Sequence, residues 1–136
     1  MIGIIIVTHE SLGDAYRSLA EHFFPEPPES VMLIGVERTE DHDDIIRHIL
    51  TMIKDADHGH GVLVLTDIFG ATPCNAARKM VVPGKVAMLT GLNAPMLIKA
   101  VQYSPAATDL AAFTENVRQA AINGIIAITT PPEEGC

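Results

Sequence analysis

The stretch Met1-Ile-Gly-Ile-Ile-Ile-Val-Thr8-His9-Glu10 decides the fold. Its residues 2–7 are apolar without alternation and are interrupted only by Gly3, a pattern typical of a strand buried on both faces of a parallel sheet. His9 therefore stands where this strand stops. Ligands and chemistry collect at the carboxyl ends of the strands in open α/β sheets, so His9 is a candidate for chemistry. A partly buried histidine with only a structural role is the alternative.

Further apolar runs alternate with helical patterns along the chain. We expect strands at residues 31–36, 61–67 and 86–90, and a short final strand at 125–130. Prolines break the chain between the first helix and the second strand, at residues 25–30. This alternation predicts an α/β fold with an open, mostly parallel sheet and helices on both faces.

Apolar residues at helical spacing mark the faces that should pack on the sheet. The last helix should run from about Pro105 to Asn123 and end at Gly124. In chain order, the predicted faces consist of Leu12, Tyr16, Leu19, Ala20 and Phe23; of Ile45, Ile46, Ile49, Leu50 and Ile53; of Met96, Leu97, Ala100 and Val101; and of Leu110, Phe113, Val117 and Ala121.

Length and composition limit the class of protein. A chain of 136 residues with 48% hydrophobic and 19% charged residues predicts one globular domain, residues 1–136, with 131–136 as a loose tail. It has no apolar run of membrane-spanning length and no signal peptide pattern, so we expect a cytoplasmic protein without direct membrane insertion. A net charge of -8 argues against nucleic-acid binding. Cys74 and Cys136 suggest neither a disulfide framework nor a zinc site.

Several acids and histidines cluster before and within the second helix and in the turn after it. Their spacing matches no standard ligand set, and acids at a helix start are favoured by the helix dipole, so a solvated helix is the preferred interpretation and we expect no metal site. The residues concerned are Asp41, His42, Asp43, Asp44, His48, His58 and His60.

The segment from Asp67 to Met80 is the second informative stretch. It contains a glycine turn at Gly70, a helix-capping Thr72 and Pro73 at the first helical position. Backbone N–H groups at a helix start can hold a phosphoryl group, although an ordinary well-capped helix has the same pattern.

The strands that end in Thr8-His9 and Thr66-Asp67 should be neighbours in the sheet. A carboxylate that accepts one ring N–H of a histidine fixes its tautomer and leaves the other nitrogen as a nucleophile. Asn93, after the fourth strand, would stand at the same edge. A histidine, a carboxylate and a capping Thr72 at one edge of the sheet indicate phosphoryl chemistry more specifically than any one of these residues does alone.

These blocks resemble the enzyme IIA domain of the mannose class of the bacterial phosphoenolpyruvate-dependent sugar phosphotransferase system (PTS). The resemblance covers most of the chain and rests on the first strand with Thr8-His9, on Thr66-Asp67-Ile-Phe-Gly-Ala-Thr72-Pro-Cys-Asn75-Ala-Ala77 and on Gly91-Leu-Asn93-Ala-Pro95-Met96-Leu97. It implies a dimeric α/β protein in which residues 125–130 form a strand exchanged between subunits.

The resemblance also implies roles for individual residues. His9 would be the phosphorylated nucleophile and Asp67 the carboxylate that orients it. The phosphoryl group would be contacted by Thr72, with Gly70 and Ala71, and further contacts at the edge would come from Thr8, Thr66, Phe69 and Asn93. No cofactor is implied.

As a stand-alone IIA, the chain would accept a phosphoryl group from the histidine-containing phosphocarrier protein. It would pass this group to a IIB protein or domain, in sugar uptake or in a regulatory relay. Other classes remain open: a docking protein without phosphotransfer, or a flavodoxin-like binder of a small molecule. A response-regulator receiver is less compatible, because His9-Glu10 is a poor acid pair. The dihydroxyacetone-kinase phosphotransfer subunit differs in the block after the third strand.

Overall fold

A computed structural model of the chain describes residues 1–26, 31–36, 41–68, 75 and 77–132. No helix in these ranges is long and apolar enough to cross a membrane. The elements follow the order β1 (Gly3–His9), α1 (Leu12–Phe23), β2 (Val31–Val36), α2 (His42–Ala56), β3 (Val62–Thr66), β4 (Val86–Leu89), α3 (Ala94–Tyr103) and α4 (Leu110–Asn123).

The four strands form one parallel sheet in the order β2-β1-β3-β4, as the apolar runs predicted. β1 continues to His9, beyond the predicted residues 2–7, because His9 still lies opposite Val36 of β2. The chain places β2 on one side of β1 and β3 on the other. The carboxyl ends of β1 and β3 therefore flank the point at which the strand order reverses, where open α/β sheets bind ligands.

Both faces of the sheet are covered, which explains why β1 and β3 are apolar at successive positions. Ile4 and Ile6 point to the face covered by α1, α3 and α4, whereas Ile5 and Val7 point to the face covered by α2. All seven residues of β1 except His9 are buried. His9 is thus the place where the strand leaves the core.

The predicted faces of α3 and α4 are confirmed. Every predicted core position in these helices is buried, namely Met96, Leu97, Ala100, Val101, Leu110, Phe113, Val117 and Ala121. The predicted faces of α1 and α2 are too wide, since Leu12, Phe23 and Leu50 are 41%, 53% and 42% exposed. α1 and α2 contact the sheet through narrower stripes that include Ala20 and Ile49, and the three exposed side chains lie beside these stripes.

The last helix begins at Leu110, so the predicted start near Pro105 is wrong. Residues 104–106 form a turn instead. The carboxylate of Asp109 accepts a hydrogen bond from the N–H of Ala112 at 3.1 Å and caps the helix. A side-chain cap satisfies an N–H group that has no partner within the helix, so Asp109 is the capping residue and the helix begins at Leu110 rather than near Pro105.

The predicted final strand, residues 125–130, is not formed within the single chain. All residues from 125 to 132 are exposed, including Ile125, Ile126 and Ile128. Within the described residues, this segment pairs with no strand of its own chain. Its exchange between subunits stays a prediction.

Replacement of Leu97 by Ala should destabilise the fold by about 2–5 kcal/mol, because the side chain is fully buried and its loss leaves a cavity. Leu12→Ala is the matched control, since the same chemical change at a 41% exposed position should cost less than about 1 kcal/mol. Urea unfolding followed by circular dichroism measures both free energies. Equal losses for the two variants would contradict the assignment of Leu97 to the core.

Candidate active site

The structure brings His9 and Asp67 together at the carboxyl ends of neighbouring strands. β1 and β3 pair in parallel, with Val7 opposite Thr66, so the residues that follow these two positions meet at one edge. The His9 side chain is 42% exposed and that of Asp67 only 7% exposed. The imidazole therefore covers the carboxylate and keeps one side open to solvent.

Three hydrogen bonds hold the Asp67 carboxylate. Oδ2 accepts from the backbone N–H of His9 at 3.0 Å and lies 2.9 Å from His9 Nδ1, while Oδ1 accepts from the N–H of Ile68 at 2.8 Å. An ionised carboxylate only accepts hydrogen bonds, so the ring proton is assigned to Nδ1. The lone pair of a neutral His9 ring is then on Nε2, which is the atom available for nucleophilic chemistry.

The pKa of the Asp67 carboxyl lies below its usual range. Burial raises this pKa. Hydrogen bonds from the His9 backbone, the His9 ring and the N–H of Ile68, together with the nearby imidazole charge, lower it by more than burial raises it. The carboxylate is therefore ionised at neutral pH. It can both fix the ring tautomer and stabilise a positive charge on the ring.

The lowered pKa predicts a loss of stability in acid. A carboxyl with a lower pKa in the folded state stabilises the protein above its unfolded pKa of about 3.9, and this contribution disappears as the pH falls through the folded pKa. The stability difference between wild type and Asp67→Asn should therefore be larger at pH 7 than at a pH near 3. Urea unfolding at both pH values measures it, with Asp55→Asn as a control for the loss of one exposed charge. A pH-independent difference would contradict the lowered pKa.

The chain turns sharply directly after His9. Glu10 has a φ of 49°, in the left-handed region that side chains rarely adopt. The carbonyl oxygen of Glu10 lies 2.7 Å from the place where a Cβ on Gly35 would stand. Gly35 in β2 thus leaves room for this turn, which separates β1 from α1 and lets His9 project at the edge.

Two predicted edge residues, Thr8 and Thr66, are fully buried. Their hydroxyl groups have no hydrogen-bond partner among the residues described here. Neither side chain reaches solvent at the edge of the sheet. The structure therefore brings the backbones of Thr8 and Thr66, rather than their hydroxyls, to the site.

Asn93 lies after β4, and its side chain is occupied by structural contacts. Its Oδ1 accepts from the N–H of Met96 at 3.0 Å and caps α3, while its Nδ2 donates to the carbonyl of Ala121 in α4 at 3.1 Å. The side chain thus ties the β4–α3 loop to two helices. Phe69, Gly70, Ala71, Thr72 and Cys74 lie outside the described residues, so the predicted phosphoryl contacts in this segment stay predictions.

The acids and histidines around α2 make contacts of an ordinary helix surface. His42 Nε2 lies 3.2 Å from Lys79 Nζ, and Asp44 pairs with Arg47 one turn later. Within the described ranges, no three His, Cys, Asp or Glu side chains are grouped so that they could hold a metal ion.

Sequence reasoning assigned Tyr16 only to the packing face of α1 and missed its hydroxyl. This hydroxyl donates a hydrogen bond to the carbonyl of Leu92 at 2.9 Å, across 76 positions of sequence. The residue type alone could have indicated this bond, because a tyrosine on a packing face, unlike a phenylalanine, needs a hydrogen-bond partner for its O–H group.

Comparison with known proteins identifies the family. The family model described as "PTS system fructose IIA component" matches residues 3–118. The mannose-specific EIIAB component of the PTS from Escherichia coli K12 is 31% identical over 99 residues, which are 72% of this chain and 30% of that protein. The fructose-specific EIIA component from Bacillus subtilis is 29% identical over 100 residues, 73% of this chain and 68% of that protein. The chain thus spans less than a third of the EIIAB relative.

Solved structures agree with this result. The phosphotransferase system component EIIA from Streptococcus agalactiae superposes with a TM-score of 0.82 at 28% identity, covering 93% of this chain and 97% of that one. The mannose/sorbose specific IIA subunit from Enterococcus faecalis has a TM-score of 0.83 at 19% identity, over 98% of both chains, and supports the fold. Family members are phosphotransferase components of PTS sugar transport. With a family match that extends from β1 into α4, the chain belongs to the PTS fructose IIA component family.

Proposed function

We propose that the protein is a phosphoryl carrier in which Nε2 of His9 accepts a phosphoryl group from the histidine-containing phosphocarrier protein. The observation that carries this proposal is the 2.9 Å contact between His9 Nδ1 and the Asp67 carboxylate beside a solvent-open ring. That contact leaves Nε2 as the free nucleophile. We further propose that a IIB protein or domain receives the group in the cytoplasm, and that residues 1–136 work as one IIA domain.

The transfer step exchanges one P–N bond for another. A bond forms between Nε2 of His9 and phosphorus, and the bond between phosphorus and the donor's histidine breaks. Nδ1 keeps its proton, so the phosphorylated ring becomes positively charged. The Asp67 carboxylate stabilises this charge, and the reverse exchange on the acceptor restores the neutral ring.

Thr72 and the backbone N–H groups of Gly70 and Ala71 are the proposed contacts of the phosphoryl oxygens. This part of the proposal rests on the sequence, in which a cap and a glycine turn follow β3. The described edge offers further support. β3 ends at Thr66, so the chain that follows it starts beside the His9 ring.

The direct test is to incubate the wild-type protein with phosphoenolpyruvate, enzyme I and the histidine phosphocarrier and to measure its intact mass. We expect one phosphoryl increment that is lost in brief acid and survives base, and that maps to the peptide containing His9. A base-labile increment on Asp67 would identify an acyl phosphate and contradict the proposal. No increment would leave a docking role without phosphotransfer.

We also propose a homodimer in which residues 125–130 pair with the partner subunit. The exposed isoleucines of this segment support the proposal, because apolar residues that lie exposed close together are typical of interfaces. Ile126→Asp combined with Ile128→Asp places two charges on one face of such a strand and should yield a monomer in sedimentation. Both side chains are exposed in the single chain, so circular dichroism should stay unchanged. An intact dimer would contradict the exchange.

A further inference from the structure

We propose that Tyr16 is a positioning residue for phosphoryl transfer, because its hydroxyl fixes the loop that holds the end of β3, where Asp67 lies. This inference rests on the proposed function of His9. It concerns a residue on α1 whose hydroxyl binds the loop between β4 and α3. Tyr16 acts through a short series of hydrogen bonds.

Two hydrogen bonds connect Tyr16 to the end of β3. The Tyr16 hydroxyl donates to the carbonyl of Leu92 at 2.9 Å. The N–H of Leu92 in turn donates to the carbonyl of Thr66 at 2.9 Å. Asp67 is the next residue in the chain. A shift of Leu92 therefore moves the peptide group that joins Thr66 to the orienting carboxylate.

The side chain of Thr66 does not anchor this peptide. Its hydroxyl is fully buried and has no hydrogen-bond partner within the described structure. The end of β3 is held instead by its pairing with Val7 in β1 and by the bond from Leu92. On the side away from β1, β3 pairs with β4 up to Leu65, which lies opposite Leu89. The bond from Leu92 extends this restraint by one residue, to Thr66.

The loop between β4 and α3 is also fixed after Leu92, where Asn93 ties it to α3 and α4. Asn93 binds the carbonyl of Ala121 and caps α3, and Gly91 adopts a φ of 77°. Leu92, which lies between Gly91 and Asn93 in the sequence, is buried in the core. Asn93 ties this loop to α3 and α4, and Tyr16 connects it to α1 through the Leu92 carbonyl.

The protonation state of the Tyr16 hydroxyl is compatible with this connection. Burial and the negative charge of Asp67 both raise the pKa of the Tyr16 hydroxyl above its usual value. The hydroxyl therefore stays protonated at neutral pH and donates to Leu92.

The test compares Tyr16→Phe with Tyr103→Phe. These are the only two tyrosines of the chain, and Tyr103 lies at the end of α3, where its ring contacts Lys99. Loss of the bond to Leu92 should slow phosphoryl uptake from the phosphocarrier about three- to tenfold, the range expected for one hydrogen bond. Tyr103→Phe should react at the wild-type rate. Equal rates for both variants would overturn the inference.

A second readout separates positioning from general stability. Nitrogen-15 NMR of the imidazole reports which ring nitrogen of His9 carries the proton. The wild type and Tyr103→Phe should show His9 protonated on Nδ1, and Tyr16→Phe should show a mixture with the Nε2-protonated form. A slower variant with an unchanged His9 spectrum would overturn the inference, because its effect would not pass through Asp67.

The NMR measurement needs no donor protein, so it distinguishes the two proposals. If the wild type takes up no phosphoryl group, the proposed function fails. The His9 spectrum of Tyr16→Phe still decides whether Tyr16 positions the His9–Asp67 pair.

Discussion

His9→Gln should take up no detectable phosphoryl group from phosphoenolpyruvate, enzyme I and the histidine phosphocarrier. A glutamine amide can still donate a hydrogen bond to the Asp67 carboxylate, but it has no nucleophilic ring nitrogen. The His9 side chain is 42% exposed, so the substitution should leave the fold intact. Intact mass after incubation measures the uptake, and circular dichroism checks the fold.

The matched control is His22→Gln. His22 is exposed in the last turn of α1, where its ring contacts Phe23. This variant should take up one phosphoryl group, the same result that we expect for the wild type. Uptake at the wild-type level by His9→Gln would show that another residue receives the phosphoryl group. The His9–Asp67 pair would then not be the phosphoryl acceptor.

The four strands of the sheet and the meeting of His9 with Asp67 could be predicted from the sequence because both depend on local patterns. A run such as residues 2–7 has few alternatives to a buried strand, and parallel pairing places the ends of β1 and β3 at one edge. The contact between His9 and Asp67 follows from this geometry. Here the residue pattern and the family resemblance lead to the same pair.

Other features depend on information that local patterns do not contain. Helical spacing identifies an apolar stripe but not its width, so Leu12 and Leu50 were assigned to the core although the sheet does not cover them. The bond from Tyr16 to Leu92 joins residues 76 positions apart. The left-handed Glu10 depends on the space left by Gly35 in another strand.

Asp67→Asn should slow phosphoryl uptake by about 10²- to 10⁴-fold, the range expected when a histidine is held in the wrong tautomer. The asparagine amide can donate to Nδ1 of His9, which moves the ring proton to Nε2 and removes the nucleophilic lone pair. The substitution also removes the negative charge that stabilises the phosphorylated ring. Rapid quenching of the reaction at fixed times measures the rate.

The expected loss belongs to the charge and the tautomer rather than to the fold. When the asparagine amide donates to Nδ1 of His9, its oxygen still accepts the backbone N–H of Ile68, so the turn after β3 should persist. Asp55→Asn removes a charge from the exposed surface of α2 and should react at the wild-type rate. If Asp67→Asn is folded and reacts within twofold of the wild type, Asp67 does not orient His9. If it is slow and its NMR spectrum shows the His9 proton on Nε2, the carboxylate acts by selecting the tautomer.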